Sequence, residues 1–207
     1  MSIPYERTGR TRQKARTRAA VVEAARKLLA EGITPTVEQA ADAADVSRTT
    51  AYRYFPNQRA LVLATFPELA ADSLLPEPAP ADPAARLEAV AAALTDQILE
   101  HEPELRAHLR LSLEPNPAQH GDLPFRTGRA VAWIEEALAP LRGRIPEPEL
   151  RRLVLAIRSG MGIEALVWLT DIAGLSREEA AIVMRWSARS LLQATLANHP
   201  APDGSAT

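Results

Sequence analysis

The sequence of 207 residues has no cysteine. That absence excludes disulfide bonds, thiolate metal ligands and a cysteine nucleophile, and it is typical of proteins in a reducing compartment. Aromatic residues are also scarce, at 4% of the chain. Because 46% of the residues are nevertheless hydrophobic, the chain can bury a substantial core, and we expect one large globular domain or two small ones.

Long apolar runs and catalytic motifs are missing as well. No stretch approaches the roughly 18 to 20 apolar residues of a membrane span, and there is no apolar signal core, so we expect a cytoplasmic protein. The sequence has no glycine-rich phosphate loop, no Gly-x-Ser-x-Gly and no His-Glu-x-x-His. Pro103 separates His101 from His108, which disfavours a two-histidine metal site. We therefore predict no enzyme activity, no cofactor and no metal.

Charge is distributed unevenly along the chain. Residues 1–59 carry eleven Lys or Arg and six Asp or Glu, a net charge of +5, whereas the remainder carries 13 and 20, a net charge of -7. A basic small part joined to an acidic larger part indicates that the first approaches a polyanion.

Strand patterns are also absent, because β-branched and aromatic residues never alternate with polar ones, whereas Ala, Leu, Glu and Arg recur at helical spacing. The sequence therefore predicts an all-α protein of about nine helices, with loops at the Pro- and Gly-rich stretches 75–83 and 114–124. We predict four parts. They are a flexible basic arm over 1–10, a small helical domain over 11–65, a larger helical domain over 66–198 and a disordered tail over 199–207.

The small domain has clear helix boundaries. A first helix over 11–31 ends at Gly32, and a second begins at Thr36, where Gln39 completes a capping box, and ends near Ala44.

A third helix follows after a short turn. Ser47 fits its N-cap, and Val46 is placed to pack on Ala51 as a hydrophobic staple. Two short helices joined by a tight turn, after a longer helix, predict a three-helix helix-turn-helix domain that binds DNA.

The third helix lies in DVSRTTAYRYFPNQ, residues 45–58, which holds three of the nine aromatic residues. At about 100° per residue, Ala51 and Phe55 share one side and Thr49 and Arg53 the opposite side. We predict that the first pair is core and that the second faces the major groove.

Residue chemistry then assigns contacts. Predicted base contacts are Arg48, Thr49 and Arg53, whose donors and methyl suit base edges. The hydroxyls of Thr50, Tyr52 and Tyr54 on the flanks of the third helix suit phosphates, as does Thr36 at the start of the second helix. A basic run at the N-terminus, from the arm into the start of the first helix, supplies Arg10, Arg12, Lys14 and Arg16 for phosphates or a minor groove. Alternatively, the run is a solvated tail and the tyrosines pack within the domain.

Residues 16–64 resemble bacterial TetR-type (TetR/AcrR) transcriptional regulators. The resemblance rests on AAVVEAARKLLAEG, TPTVEQAADAADVS and RTTAYRYFPNQRALV. It implies a homodimer whose larger helical domain binds a small molecule and dimerises, and whose operator is released when that ligand binds. Two positions depart from the family pattern. Gln58 stands where a phosphate-binding lysine is common, so a hydrogen bond to phosphate is expected there, and Thr49 stands where glycine is common.

In the larger domain we predict helices over 84–101, 103–113, 125–142, 147–172 and 176–198. Small residues on the last two would let a partner helix approach closely. The candidates for a two-fold interface are Ala156, Gly160, Ala181 and Ala188. Packing within one subunit is the alternative, and the resemblance favours the dimer.

A ligand pocket is predicted among the middle helices. Its candidates are His108, Arg110, Trp133, Arg158, Met161, Glu164 and Trp168. Both tryptophans fit a core better than a ligand cage. Arg158 and Glu164 are six residues apart and, on one continuous helix, face different directions, so they need not pair.

These features together predict a ligand-responsive repressor that binds a pseudo-palindromic operator as a homodimer. The alternatives are an interaction or scaffold protein with a degenerate helix-turn-helix, a ligand-independent repressor, and a helical small-molecule-binding protein without regulatory output.

Overall fold

The computed structural model describes residues 5–65, 72–113 and 129–200, with side chains from residue 12 onward. Within these ranges the protein has no β-strand, which confirms the all-α prediction. The α-helices are α1 (Tyr5–Ala30), α2 (Val37–Ala43), α3 (Arg48–Tyr54), α4 (Gln58–Ala64), α5 (Pro83–Glu100), α6 (Glu102–Ser112), α7 (Arg129–Ala137), α8 (Glu147–Ser159), α9 (Ile163–Val167) and α10 (Arg177–Asn198). A 3-10 helix, Ala139–Leu141, and a π-helix, Trp168–Ile172, complete the described elements.

The chain divides into two compact units, and helices α1 to α4 belong to the first. Their core combines one face of α1 with α2, α3 and the start of α4, and its fully buried members are Val21, Ala25, Ala40, Ala41, Ala51 and Leu61. Helix α1 ends in a turn at Gly32, whose φ of +79° favours glycine. Backbone bonds from Gly32 to Leu29 and from Ile33 to Leu28, both 2.9 Å, close that turn.

Helix α6, from Pro103 onward, also belongs to the first unit. Ala107 and Leu111 of α6 are buried together with Leu29 of α1 and Val62 of α4. The first unit therefore contains a helix that the sequence analysis placed in the larger domain.

The second unit contains α5 and α7 to α10. Helix α10 packs against α5 and α8, and α7 packs against the same two helices. The buried side chains of this unit include Leu87, Val90, Trp133, Ile134, Ile157, Met161, Leu166, Met184 and Leu192.

Three predicted helix boundaries are wrong. The predicted helix over 125–142 ends early, because α7 ends at Ala137 and a 3-10 helix that contains Pro140 follows at Ala139–Leu141. Helix α1 begins at Tyr5, before the expected start at residue 11, although Thr8 and Gly9 are poor helix formers. The predicted single helix over 147–172 is two helices, because α8 ends at the C-cap Gly160 and α9 begins after the N-cap Gly162. Two glycines in three residues make continuation of the helix costly.

None of the described helices is by itself long and apolar enough to cross a membrane. Only α8 and the segment Ile163–Ile172, taken together despite a 45° bend, reach the required length and composition.

Candidate nucleic-acid interface

The turn between α2 and α3 fixes the start of the candidate reading helix. Asp45 has a φ of +53°, a left-handed conformation that Asp tolerates better than most residues. Ser47 then caps α3 by accepting from the backbone N–H of Thr50 at 3.3 Å, as predicted. Val46 packs against the core cluster that contains Ala51, the residue on which the sequence predicts that it packs.

Helix α3 is anchored on one side only. Ala51 and Phe55 are buried, as the helical periodicity predicts. The guanidinium carbon of Arg18 lies 5.4 Å from the centre of the Phe55 ring, a cation–π contact that ties α1 to the end of α3. Because this side is fixed in the core, the opposite side of α3 has to face solvent.

Of the three predicted base contacts, Thr49 and Arg53 lie on that solvent side and Arg48 lies on a flank. Arg48, Thr49 and Arg53 are all exposed. Arg48 pairs with Asp42 of α2 at 3.3 Å, and both side chains are mostly exposed. Arg53 has no ion pair with any residue that the structure describes. An exposed pair is worth about 0 to 1 kcal/mol, so Arg48 can leave Asp42 for a base at little cost.

Tyr52 is engaged within the protein. Its side chain is 42% exposed, and its hydroxyl donates a hydrogen bond to Oε1 of Glu38 on α2. That bond is the main cause that lowers the pKa of Glu38 and raises the pKa of Tyr52. At neutral pH the hydroxyl is therefore protonated and pointed at a carboxylate, and it has to turn before it can donate to a phosphate.

The other predicted phosphate contacts differ in exposure. Tyr54 is half-buried against the core cluster, so it serves at least partly as packing. Thr36 forms the predicted capping box, because its hydroxyl accepts from the N–H of Gln39 at 3.2 Å and its own N–H donates to Gln39 Oε1 at 2.8 Å. The hydroxyl of Thr50 accepts a hydrogen bond from Ser47 at 2.8 Å.

Gln58 uses its amide group inside the domain. Its Nε2 donates to the carbonyl oxygens of Pro35 at 3.1 Å and of Thr34 at 3.4 Å. An amide nitrogen has two N–H donors, and both are directed at the loop between α1 and α2. Gln58 thus fastens α4 to that loop in this structure.

The predicted basic arm continues into α1. Arg12, Lys14 and Arg16 are exposed on α1. The side chain of Arg10 lies outside the described residues.

The predicted pocket residues do not all lie in one unit. His108 and Arg110 belong to the first unit, whereas Trp133, Arg158, Met161, Glu164 and Trp168 belong to the second. His108 is fully buried, and this burial lowers its pKa to about 4 against a smaller opposing effect of a hydrogen bond with the Val62 backbone. The imidazole is therefore neutral at pH 7 and part of the packing between α6 and α4.

Within the second unit, two expectations about the pocket residues are wrong. Arg158 and Glu164 form an ion pair at 3.5 Å, because the break between α8 and α9 turns the two side chains toward each other. A Cβ at Gly162 would collide with both ends of that pair. Trp168 is 56% exposed and is not a core residue, whereas Trp133 and Met161 are buried.

The predicted dimer residues are also placed differently. Ala181 and Ala188 are buried inside the second unit, so they cannot present a surface to a partner. Ala156 and Gly160 are half-buried. The side of α10 opposite its buried stripe carries Ile182 and Trp186, which are 59% and 58% exposed.

Sequence reasoning missed the carboxylates that hold the reading helix from α2. Glu38 and Asp42 lie one helical turn apart on α2 and contact Tyr52 and Arg48. The one signal in the sequence was that spacing, which places both carboxylates on the same face.

The comparison with curated proteins gives no match. Residues 21–65 match the family described as bacterial regulatory proteins, tetR family. The match covers α2, α3, α4 and the last ten residues of α1, which together form the helix-turn-helix and its core. The chain is therefore a DNA-binding transcriptional regulator whose N-terminal domain belongs to the tetR family of bacterial regulatory proteins.

Proposed function

We propose that this regulator is a repressor that binds a pseudo-palindromic operator in the cytoplasm as a homodimer and is released by a small molecule. The observation that carries the DNA-binding part is the two-sided character of α3. Ala51 and Phe55 are fixed in the core, while Thr49 and Arg53 project to solvent from the opposite side and Arg48 is exposed on a flank. A helix supported on one side and polar on the other fits the major groove.

The outward residues divide into two roles. Arg53 and Arg48 read guanine edges through paired N–H donors, and Thr49 contacts a thymine. Thr36, Thr50, Tyr52 and Tyr54, with the cations of α1, bind phosphates and fix the register. For Gln58, the bonds to Thr34 and Pro35 support a positioning role in addition to the predicted phosphate contact.

Exposed apolar residues support the homodimer. Ile182 and Trp186 lie one helical turn apart on the outer side of α10, and Leu155 of α8 is 46% exposed. Helices α8 and α10 pack on each other, so both belong to the same part of the unit. Large exposed apolar side chains on two neighbouring helices are typical of a protein interface. A two-fold axis through this surface would set two reading helices at a fixed separation.

Release by a small molecule follows from a shift between two conformations. A ligand weakens DNA binding if it prefers a conformation in which the two reading helices are not at operator spacing. DNA then weakens ligand binding by the same factor. The bend between α8 and α9, with buried Met161 and the Arg158–Glu164 pair, supports a ligand contact in the second unit.

The DNA-binding part is tested by titrating inverted-repeat and random duplexes at several salt concentrations. We expect affinity to fall steeply as salt rises, because phosphate contacts displace counterions, and one inverted repeat to bind far more tightly than random DNA. A scaffold protein with a degenerate helix-turn-helix would bind neither duplex in a salt-dependent way.

The ligand part is tested by thermal shift with a metabolite panel, with and without operator DNA. We expect at least one compound to stabilise the protein and to lose that effect when operator is present. Failure of every bound compound to compete with DNA would favour a ligand-independent repressor.

A further inference from the structure

Arg110 of α6 reaches the loop that precedes the candidate DNA-contacting helix α2. Its side chain is exposed, and its Nη2 donates a hydrogen bond to the hydroxyl of Thr34. The carbonyl oxygens of Thr34 and Pro35 accept from Gln58 of α4. A helix outside the helix-turn-helix and the start of α4 therefore both bind Thr34 in this loop.

The guanidinium of Arg110 retains donors for another acceptor. A guanidinium has five N–H groups, and the bond to Thr34 engages Nη2. No carboxylate among the described residues pairs with Arg110. The neighbouring Gln58 is uncharged and has both amide hydrogens directed at carbonyl oxygens. Arg110 thus brings positive charge to a stretch of the surface where Gln58 brings none.

Arg110 also lies close to the residues proposed to bind phosphate. Thr34 is two residues before Thr36, and two residues span at most about 7 Å. The guanidinium bound to Thr34 therefore lies on the same stretch of the surface as Thr36, a proposed phosphate contact. The groove of about 300 Å³ lined by Thr34, Gln58, Val62, Arg110 and Leu111 is open to solvent, so an anionic group can approach the guanidinium.

We propose that Arg110 is a DNA-backbone contact contributed by α6, binding a phosphate oxygen at the edge of the site read by α3. The proposal rests on the proposed DNA-binding function and adds to it a cation from outside the helix-turn-helix. Guanidinium groups suit this task because their N–H donors match two phosphate oxygens. Since α6 packs on α4 through Val62, a movement of α6 would carry this phosphate contact with it.

The test is the salt dependence of DNA binding by full-length variants. R110Q removes the charge and keeps a donor, R110K keeps the charge, and Thr34→Val removes the bond to the loop and keeps the charge. R142Q removes an exposed arginine of the second unit and is the matched control. Binding is measured on operator and on random duplex between 50 and 200 mM salt.

We expect R110Q to reduce the slope of log K against log salt by about 0.9 per protomer on both duplexes, because one phosphate contact is lost. Over that fourfold range of salt, the reduction corresponds to about a 3.5-fold smaller loss of affinity per protomer. R110K, Thr34→Val and R142Q should keep the wild-type slope.

Two results would overturn the proposal while leaving the proposed function intact. One is a wild-type slope for R110Q, whatever its affinity. The other is an equal fall in slope for R110Q and Thr34→Val, which would make Arg110 a positioning residue for the loop. Wild-type protein without salt-dependent binding would instead overturn the proposed function, and the Arg110 contact with it.

Discussion

Arg48 and Arg53 have the same side chain and lie on adjacent turns of the same helix, but they differ in their ion pairs. Arg48 is held by Asp42, whereas Arg53 projects from α3 without an ion pair to any described residue. Binding DNA requires Arg48 to exchange one acceptor for another, and the exchange offsets part of the gain. Arg53 makes no such exchange, so it is the residue on which base choice should depend most.

Replacing Arg53 tests that difference. Arg53→Ala should weaken binding to the preferred operator by about 1 to 3 kcal/mol and relax the base preference at one position of each half-site. Tyr54→Phe, which removes one hydroxyl and keeps the packing, should weaken operator and random DNA alike. Titration of both variants on operator, single-base variants of it and random duplex measures the contrast. Equal losses on all duplexes for both variants would contradict the assignment.

Glu38 places a negative charge beside the proposed DNA face. Because the Tyr52 bond lowers the pKa of Glu38 and raises that of Tyr52, the pair contributes stability between the ordinary values of 4.5 and 10. That contribution is lost as pH falls through the lowered carboxyl pKa or rises through the raised phenol pKa. Glu38 is thus charged and bonded throughout the range in which DNA binding is assayed.

Glu38→Gln should therefore strengthen binding at pH 7 to operator and random DNA. Removal of one unit charge about 10 Å from a phosphate gives roughly a twofold gain in low salt, which shrinks as salt rises. Glu23→Gln removes an exposed carboxylate of α1 and is the control. The difference between the two variants measures how much of the gain in DNA affinity depends on the position of the charge. A loss of affinity for Glu38→Gln would mean that the carboxylate positions Tyr52 for DNA.

At the scale of elements, α6 follows α5 in the chain but packs in the first unit, with the DNA-binding helices. It buries His108, Ala107 and Leu111, the last two against Leu29 and Val62 of the DNA-binding helices. The packing of α6 is therefore sensitive to the protonation of one imidazole at its centre. Burial of His108 holds the pKa at about 4, below its ordinary value of 6.5.

This shift predicts an acid-dependent loss of stability. His108 binds a proton near pH 6.5 in the unfolded chain and only near pH 4 in the folded chain. The contribution of neutral His108 to the free energy of unfolding is therefore complete above pH 6.5 and is lost as pH falls from about 6.5 to 4. The full loss is about 3 kcal/mol at 25 °C. Urea unfolding of wild type and His108→Leu at pH 7, 6, 5 and 4.5 measures it. The His108→Leu variant should lack this pH-dependent loss of unfolding free energy, and the control His101→Asn should retain it. Parallel pH profiles for the wild type and both variants would contradict the role of His108.

At the scale of the whole molecule, net charge differs between the two ends of the chain. The net charge is +5 over residues 1–59 and -7 over the rest, so DNA attracts the part that carries the reading helix. In the second unit, α10 buries one stripe and exposes Ile182 and Trp186 on the other side. A second copy of the chain is the proposed cover for this outer side.

Trp186→Ala tests the homodimer. A large aromatic at the centre of an interface contributes about 2 kcal/mol or more, so the substitution should raise the dissociation constant of the dimer roughly 30-fold or more. Sedimentation equilibrium measures that constant, and operator binding should weaken in parallel while random DNA binding changes less. Ile33→Ala removes an exposed apolar side chain from the first unit and should leave the dimer intact. A wild-type protein that is monomeric at micromolar concentration would contradict the dimer.

The sequence by itself determined the local structure of the first unit. The capping box at Thr36, the N-cap Ser47, the staple of Val46 and the burial of Ala51 and Phe55 follow from contacts within four or five residues. Periodicity and capping are local properties, so they can be derived without knowing where distant residues lie.

Tertiary structure decided the partners that join distant positions. The Tyr52–Glu38 bond spans 14 residues, the Arg110–Thr34 bond spans 76, and the Arg158–Glu164 pair exists because the helix bends between them. The same is true of Ala181 and Ala188, whose small side chains are buried within the unit while Ile182 and Trp186 are exposed. Composition gave α10 small and large apolar residues, but only the packing of α5 and α8 against it decided which of them are covered. Such contacts depend on how helices are oriented in space, and no local pattern in the chain encodes that orientation.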